Sequence, residues 1–393
     1  MNILFISNGY GEDSVAALLI EELRKRKVVN IKVLPLVGIG EIFDFPDVEI
    51  LGPRVNLPSG GLINNNLSAL IKDIKAGLLT LTLKQIDILR KSSFDLIICV
   101  GDRYPVILAG LFTSSPLIFV AIAQSVYGSG YSLFEKLLMK GRVNMVFPRD
   151  AETDMALNKW GISSRFLGNP MMDTFPVLPC NIDIPASAGV ITILPGSRSE
   201  IWYNTKISLS VCRRIYSLNR DIIFLMALSQ RVLLEEFYAY ISKEGWNVSE
   251  DKDVTHLVHS DGTEVKMSQK YFGYMINRAD AVLGQGGTAN EQAAGLGKPV
   301  VTFWSPERQV RPSFMKHQKS LLGDSLIIVS PEPEIIAEKL LELLKNPVKA
   351  HELGQIGSAR MGGRGGGNKI VDYIIEFAEH IRKDNSEQER KIV

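Results

Sequence analysis

Residues suited to binding phosphate groups occur in one stretch of the second half of the chain, from Ala279 to Trp304. Its pattern is typical of a strand, a glycine turn, a short helix and a second strand, with Gly284, Gly286 and Gly287 in the turn. Such a turn directs backbone N–H groups, and the positive end of the helix dipole, toward any group beyond the strand. We therefore expect this turn to bind a diphosphate.

Two side chains of the same stretch fit this interpretation. Thr288 can cap the helix with Glu291 three residues later, which is the spacing of a capping box. Glu291 could also accept hydrogen bonds from a ribose diol. In the alternative, the glycines only form a tight turn and both side chains only cap the helix, because glycine turns are common in α/β proteins.

A second turn of this kind follows an earlier apolar strand, at Leu194-Pro195-Gly196-Ser197-Arg198-Ser199-Glu200. Arg198 comes just after the strand, where a guanidinium can bind two phosphate oxygens. The alternative is a surface arginine paired with Glu200. Two phosphate-compatible turns in one half of the chain favour a nucleotide site more strongly than either turn alone.

A carboxylate that could act as a base follows a strand of the first half. Asp102 comes directly after the apolar run Leu96 to Val100. Partial desolvation at a strand end could raise the pKa of Asp102 toward the working range of a general base. Asp102 could equally cap the next helix or pair with Arg103, and the spacing alone does not separate these roles.

The turn after the first strand carries two more carboxylates, Glu12 and Asp13, beside Gly9 and Gly11. The two glycines resemble the start of a dinucleotide fingerprint, but Ser14 stands where the third glycine belongs and no acid follows the second strand. We therefore exclude NAD. The turn places both carboxylates at the ligand-binding end of the predicted sheet, unless Asp13 or Ser14 only caps the following helix.

Composition restricts the remaining possibilities. The chain has 393 residues, 46% hydrophobic and 22% charged, and a formal net charge of +1, which argues against a nucleic-acid-binding protein. Its three cysteines are scattered, and its five histidines lack metal-ligand spacing, so we predict neither disulfides nor a metal site nor a cofactor. The chain has neither a GxSxG elbow nor a GxxxxGK[ST] loop.

The alternation of strand-like and helix-like segments predicts two open α/β domains with parallel sheets. We place the first domain at residues 1–175, the second at 189–365 and a C-terminal helix at 366–383, with a frayed tail after it. Shorter predictions are a strand near Phe166 and a hairpin over residues 256–267. Ligands of such sheets bind beyond the carboxyl ends of the strands, so we expect the active site in the cleft between the domains.

Two segments are basic and amphipathic, at residues 62–91 and 133–140. Such helices can lie on a membrane or meet a lipid substrate, although most pack against a core. The uncharged run from Tyr104 to Phe134 is long enough to span a bilayer. It is interrupted by Ser114-Ser115-Pro116, and we interpret it as a buried helix, a turn and a buried strand.

Taken together, these motifs resemble those of the two-domain GT-B glycosyltransferases, and most closely the lipid-A-disaccharide synthase family, over about residues 1–381. The matching segments are Gly11-Glu12-Asp13-Ser14, Asp102 with Pro105, Gly168-Asn169-Pro170-Met171-Met172-Asp173, Leu194 to Ile201, and Gly287-Thr288-Ala289-Asn290-Glu291. Leu194 to Arg198 and Asp102 are the most specific of these. The chain departs from the family at Asn169, where the family has histidine, and in its shortened N-terminal motif.

The resemblance implies a GT-B fold, in which two Rossmann-like domains face each other across a cleft and the C-terminal helix crosses back to the first domain. It implies transfer of a sugar of the N-acetylglucosamine type from a UDP-sugar to a lipid acceptor, with inversion and without a metal, by an enzyme in the cytoplasm or at the inner face of a membrane. Alternatives are a UDP-sugar epimerase or hydrolase of the same fold and a nucleotide-binding regulator. The implied site residues are Asp102 and Glu12 for catalysis, Gly11 and Asp13 on the acceptor side, and Gly196, Ser197, Arg198, Gly286, Gly287, Thr288 and Glu291 for the donor.

Overall fold

The computed structural model describes residues 1–27, 29–55, 74–198, 200–252, 254–304 and 312–392. The chain divides into two compact units. The first unit comprises Met1–Thr174 together with Arg364–Val393, and the second comprises Phe175–Gly363. No helix in the described part is long and apolar enough to cross a membrane.

The first unit contains a six-stranded sheet in which every neighbouring pair of strands is parallel. Its strands are β1 (Asn2–Ser7), β2 (Asn30–Pro35), β3 (Val48–Ile50), β4 (Leu96–Val100), β5 (Leu117–Ala121) and β6 (Met145–Pro148). Their order is β3-β2-β1-β4-β5-β6, which is the doubly wound arrangement. Strands β4 and β5 are buried at every position, as expected for parallel strands covered on both faces.

Helices connect these strands. They are α1 (Tyr10–Arg26), α2 (Leu78–Lys91), α3 (Arg103–Phe112), α4 (Leu133–Arg142) and α5 (Ala151–Lys159). Helix α1 begins at Tyr10, three residues before the predicted start at Asp13. The predicted strand near Phe166 is absent, and only Ser164 forms an isolated bridge with Val146.

The second unit contains an eight-stranded mixed sheet. Its strands are β7 (Gly189–Leu194), β8 (Ile222–Ala227), β9 (Trp246–Glu250), β10 (Thr255–His259), β11 (Glu264–Ser268), β12 (Ala281–Gly284), β13 (Val300–Phe303) and β14 (Leu326–Val329), in the order β14-β13-β12-β7-β8-β11-β10-β9. Among the strands of this sheet, β10 runs opposite to the others, and its pairing with β11 is the predicted hairpin. Strand β9 was not predicted from the sequence, because most of that strand is exposed and lacks an apolar run.

The helices of the second unit are α6 (Ile201–Leu218), α7 (Leu234–Lys243), α8 (Phe272–Arg278), α9 (Gly287–Gly295), α10 (Pro312–Leu322), α11 (Pro333–Lys345) and α12 (Pro347–Met361). Each unit has its own buried core, formed by strand residues and the inner faces of the helices. The predicted fold class, two Rossmann-like α/β sheets, is confirmed.

The last helix, α13 (Gly366–Ile392), belongs to the first unit. It packs along α1, where the Arg26 guanidinium lies 2.7 Å from the Asp372 carboxylate. The predicted fraying after residue 383 was wrong, because α13 continues to Ile392.

The start of α13 is held by the Gly-Asn-Pro segment of the sequence. Asp173 ends a short 3-10 helix, Pro170–Asp173, and its carboxylate accepts hydrogen bonds from the N–H groups of Gly365 (2.6 Å) and Gly367 (2.8 Å). Gly366 lies so close that a Cβ there would stand 2.6 Å from the carbonyl carbon of Gly168. A carboxylate at this position also interacts favourably with the helix dipole.

Replacing Asp173 with alanine should therefore lower the free energy of unfolding by about 1–2 kcal/mol, because the first turn of α13 loses the acceptor for its N–H groups. Urea-induced unfolding measures the change. The control is Asp87→Ala, which removes an exposed carboxylate that pairs with Lys91 within α2 and should cost less than about 0.5 kcal/mol. Equal losses in the two variants would contradict the assigned role of Asp173.

Candidate functional site

The two phosphate-compatible turns of the second unit are neighbours. Strands β7 and β12 are adjacent and parallel, with Leu194 opposite Gly284, so both turns leave the same edge of the sheet. The N–H of Gln285 donates a 2.8 Å hydrogen bond to the carbonyl of Leu194. Gly196 has a φ of 91°, and a Cβ there would lie 3.5 Å from the carbonyl oxygen of Gln285. The structure thus places the two predicted turns side by side at one edge of the sheet.

Helix α9 starts without a side-chain cap. Gly286 occupies the cap position with an extended backbone, and Gly287 is already helical. The predicted capping box at Thr288 and Glu291 was therefore wrong, because Thr288 lies inside the first turn, where it is exposed. The first N–H groups of a helix have no partner within the helix. Here no cap side chain accepts from them, and the first turn carries no acidic residue.

Buried amide side chains that were not predicted from the sequence hold these turns in place. Asn290 donates a 3.2 Å hydrogen bond to the carbonyl of Gly284, and Gln318, which is 2% exposed, donates a 2.9 Å bond to the carbonyl of Gly287. Asn204 donates a 3.0 Å bond to the carbonyl of Pro195. Asparagine is unfavourable inside helices, and that was a usable signal for Asn290 and Asn204. Gln318 gave no such signal.

Two predicted donor-binding residues, Ser197 and Arg198, are exposed just beyond β7. The carbonyl of Arg198 accepts a 2.9 Å hydrogen bond from the N–H of Ile201 at the start of α6. The ion pairs of the described part do not include one between Arg198 and Glu200, the structural alternative that the sequence left open. Ser199 lies outside the described residues.

In the first unit, Asp102 lies at the end of β4 beside the end of β1. It caps α3, because its Oδ1 accepts hydrogen bonds from the N–H of Tyr104 (2.9 Å) and from Nδ2 of Asn8 (3.2 Å). Burial raises the pKa of the Asp102 carboxyl above its ordinary value, although both hydrogen bonds oppose the rise. The capping role is thus confirmed, and it leaves a carboxylate whose pKa has moved toward that of a working base.

The carboxylate of Glu12 belongs to the same edge. Gly101 has a φ of 126°, and a Cβ there would lie 2.5 Å from Cγ of Glu12, so the Glu12 side chain packs directly on the residue before Asp102. Gly11 lies in the first turn of α1.

Asp13 has a different environment. It is 5% exposed, and its Oδ1 accepts a 2.5 Å hydrogen bond from the hydroxyl of Ser7. The interpretation in which Asp13 or Ser14 caps α1 was wrong, because the helix begins earlier and Gly9 occupies the cap position. Asp13, which belongs to α1, therefore holds Ser7 at the end of β1 in place.

No group of three or more histidine, cysteine, aspartate or glutamate side chains is placed to hold a metal ion in the part of the chain that the structure describes.

Most of the first amphipathic segment, residues 56–73, lies outside the described residues. Helix α2 buries Leu81 and Leu89 but leaves Leu79 and Leu83 60% and 66% exposed.

The second amphipathic segment forms α4, and it presents an apolar face to solvent. Leu133, Phe134 and Leu137 are each more than half exposed, and on the opposite face Met139 is buried. The ammonium of Lys136 lies 4.5 Å from the ring centroid of Trp160, which is itself 43% exposed. The core-facing interpretation therefore fails for the first turn of α4.

No protein-family model matches the chain. Solved structures define the class of fold, which is that of GT-B glycosyltransferases and UDP-sugar epimerases. The calicheamicin glycosyltransferase is 15% identical and covers 96% of this chain and 98% of its own, with a TM-score of 0.60. The UDP-GlcNAc 2-epimerase of Neisseria meningitidis bound to UDP-GlcNAc is 18% identical and covers 96% and 100%, with a TM-score of 0.55. At these identities the likeness shows the fold alone.

Among curated proteins, the chain is similar to the lipid-A-disaccharide synthase of Azoarcus sp. (strain BH72). The two are 27% identical over 170 residues, which make up 41% of this chain and 38% of that protein. The chain thus matches well under half the length of this relative. A second lipid-A-disaccharide synthase, from Aromatoleum aromaticum, is 25% identical over 150 residues.

The raised pKa of Asp102 predicts a pH-dependent effect on stability. Because the folded chain binds this proton more tightly than the unfolded chain, ionised Asp102 destabilises the fold above the ordinary pKa of 3.8. An asparagine in its place would keep the cap without the charge. The variant Asp102→Asn should therefore be more stable than the wild type at pH 7, and the difference should shrink as the pH falls through the raised pKa.

Urea-induced unfolding at pH 7 and at pH 4, close to the ordinary pKa of 3.8, measures this difference. The control is Asp47→Asn, because Arg24 lowers the pKa of the exposed Asp47 carboxyl and the effect of its replacement should have the opposite sign. An Asp102→Asn variant that loses the same stability at both pH values would refute the assigned cause.

Proposed function

We propose that this protein is a glycosyltransferase that moves a sugar, of the N-acetylglucosamine type, from a UDP-sugar to a lipid acceptor with inversion. The second unit binds the donor and the first unit binds the acceptor. The observation that carries the proposal is the adjacency of two backbone turns at Gly196 and Gly287, one of which begins a helix without a side-chain cap. The likeness to the two lipid-A-disaccharide synthases supports the transfer to a lipid.

A diphosphate suits the turns of the second unit for electrostatic reasons. The first N–H groups of α9 and its dipole favour a negative charge at Gly287, and Arg198 can add a bidentate contact. As the sugar leaves, negative charge grows on the UDP diphosphate. Fixed dipoles and a guanidinium aimed at that charge stabilise the transition state more than the ground state, and no metal is required.

Asp102 is proposed as the base that removes the proton of the acceptor hydroxyl. Burial raises the pKa of Asp102, and a base works best when its pKa approaches the working pH. Only Oδ1 of Asp102 is used by the bonds to Asn8 and Tyr104. Oδ2 would accept the proton, while Glu12, packed on Gly101, supplies a second carboxylate on the acceptor side, with Gly11 and Asp13 shaping the turn.

The acceptor is proposed to be reached at an anionic membrane surface on the cytoplasmic side, through the face of α4. Its exposed apolar residues lie beside Lys136, Lys140 and the exposed ring of Trp160. This combination of apolar, basic and tryptophan side chains is typical of helices that lie in the membrane interface. Helix α4 and Asp102 belong to the same unit, so this helix would present a lipid-linked substrate to the base.

A UDP-sugar epimerase or hydrolase is the second candidate, because epimerases share the fold. Such an enzyme acts without an acceptor. UDP-GlcNAc incubated alone and followed by NMR separates the two functions: a change of sugar configuration, or release of free sugar, would replace the transferase proposal.

The proposal predicts opposite behaviour for two variants. Asp102→Asn should lower sugar transfer by at least about 100-fold, because the base is lost, and should leave the affinity for UDP unchanged. Arg198→Ala should weaken UDP binding by about tenfold, because one charged hydrogen-bonding partner is removed. Isothermal titration with UDP and transfer of labelled sugar from UDP-GlcNAc to a lipid extract measure the two effects.

The matched control for Arg198 is Arg213→Ala, which removes another exposed arginine of the same unit, paired with Asp261. Its UDP affinity should equal that of the wild type. Unimpaired transfer by Asp102→Asn would overturn the base assignment, and an unchanged UDP titration for Arg198→Ala would overturn the donor assignment.

The membrane proposal is tested with vesicles that contain anionic phospholipid. The double variant Phe134→Ser/Leu137→Ser should bind at least about tenfold more weakly than the wild type, because it loses the apolar area that would enter the interface. The control Ile335→Ser/Val348→Ser removes two exposed apolar side chains of the second unit and should bind normally. If both variants sediment equally with vesicles, α4 has no part in the contact.

A further inference from the structure

An ion pair with a buried carboxylate lies next to the proposed base. Arg103 directly follows Asp102 in the chain, and its NH1 lies 2.9 Å from Oε1 of Glu135 on α4. The side chain of Arg103 is 44% exposed, whereas that of Glu135 is only 5% exposed. A carboxylate buried to this degree needs a charged or hydrogen-bonding partner at each oxygen.

Both oxygens of Glu135 have such a partner. Oε2 accepts a 2.6 Å hydrogen bond from the N–H of Ser132, whose hydroxyl in turn accepts from the N–H of Glu135. This reciprocal pair is a capping box, so Glu135 is fixed at the start of α4. Helix α4 is itself held against α3, because Gly110 allows Leu138 to approach closely. The guanidinium of Arg103 is therefore bound to a rigid acceptor.

The position of Arg103 matters for the chemistry of Asp102. A guanidinium that paired with the carboxylate before it in the chain would stabilise the ionised form and make Asp102 a weaker base. In the structure, Oδ1 of Asp102 instead accepts from Asn8 and from the N–H of Tyr104. Arg103 forms an ion pair with Glu135 on α4.

We propose that Glu135 is a positioning residue that holds the Arg103 guanidinium on α4 and away from the Asp102 carboxylate. The proposal rests on the proposed function, since it takes Asp102 as the group that accepts the proton, and it adds the device that keeps this group basic. Glu135 does not touch the reacting atoms and acts through Arg103.

The groups around Asp102 come from four elements. Asn8 follows β1, Glu12 belongs to α1, Arg103 and Tyr104 begin α3, and Glu135 begins α4. Of the charges that act on the pKa of Asp102, that of Arg103 lowers it and that of Glu135 raises it, in addition to the larger effect of burial. Neutralising Glu135 would remove the charge that raises the pKa, and it would remove the ion pair that holds the Arg103 guanidinium on α4. Both changes act in the same direction.

The variant Glu135→Gln tests this role, because glutamine also serves at this position of a capping box and should keep α4 intact. The full-length chain is labelled with 13C at the aspartate carboxyl carbons, and the Asp102 signal is assigned from its loss in Asp102→Asn. The titration midpoint of Asp102 should fall by about one pH unit in Glu135→Gln. It should return toward the wild-type value in Glu135→Gln/Arg103→Gln.

The control Glu22→Gln removes a carboxylate that pairs with Lys25 and Arg26 on α1 and should leave the midpoint unchanged. In transfer assays, Glu135→Gln should lower kcat and move the acidic limb of the pH profile downward, with the KM for UDP-sugar unchanged. An unaltered midpoint in Glu135→Gln, or a midpoint as low in the double variant as in the single one, would overturn the proposal. The NMR titration needs no activity, so a chain that transfers no sugar would refute the proposed function and still decide the role of Glu135.

Discussion

The constraint on which both candidate sites depend is the parallel pairing of two central strands in each unit. In the first unit β1 pairs with β4, with Ser7 opposite Val100, and in the second β7 pairs with β12, with Leu194 opposite Gly284. Because parallel strands end at the same edge of a sheet, residues far apart in sequence meet just beyond that edge. The side chain of Asn8 reaches Asp102 in this way, and the backbone N–H of Gln285 reaches the carbonyl of Leu194.

Glycines at this edge of each sheet allow polar side chains to pack closely against the strand ends. A Cβ at Gly284 would stand 2.1 Å from Oδ1 of Asn290, and a Cβ at Gly101 would stand 2.5 Å from Cγ of Glu12. In both places, the space that a side chain would fill is taken by the polar residue that supports the site. These glycines therefore let an amide or a carboxylate pack against the strand end, and Gly101 also has a φ of 126°, which other residues rarely adopt.

Much of this arrangement could be predicted from the sequence, because the relevant signals are local. Apolar runs followed by glycine turns predicted β4, β7 and β12, and the alternation of elements predicted the fold class, which the structure confirms. The failures were of two kinds. The start of α9 was misplaced because Gly286 takes the cap position without a polar side chain, and β9 was missed because it is largely exposed. The contacts of Gln318 with Gly287 and of Glu135 with Arg103 could not be predicted, since these partners come from distant segments.

The helices that begin beyond β1, β4 and β12, beside the candidate site residues, differ in the negative charge already present at their starts. Side chains cap α3, α4 and α5 in the first unit, namely Asp102, Ser132 and Asp150. Helix α1 lacks such a cap, but its first turn carries Glu12 and Asp13, so negative charge already occupies the positive end of its dipole. Helix α9 has neither a side-chain cap nor an acidic residue in its first turn. Among the starts of α1, α3 and α9, only that of α9 carries no carboxylate and favours an anion, whereas the carboxylates at α1 and α3 would repel a diphosphate.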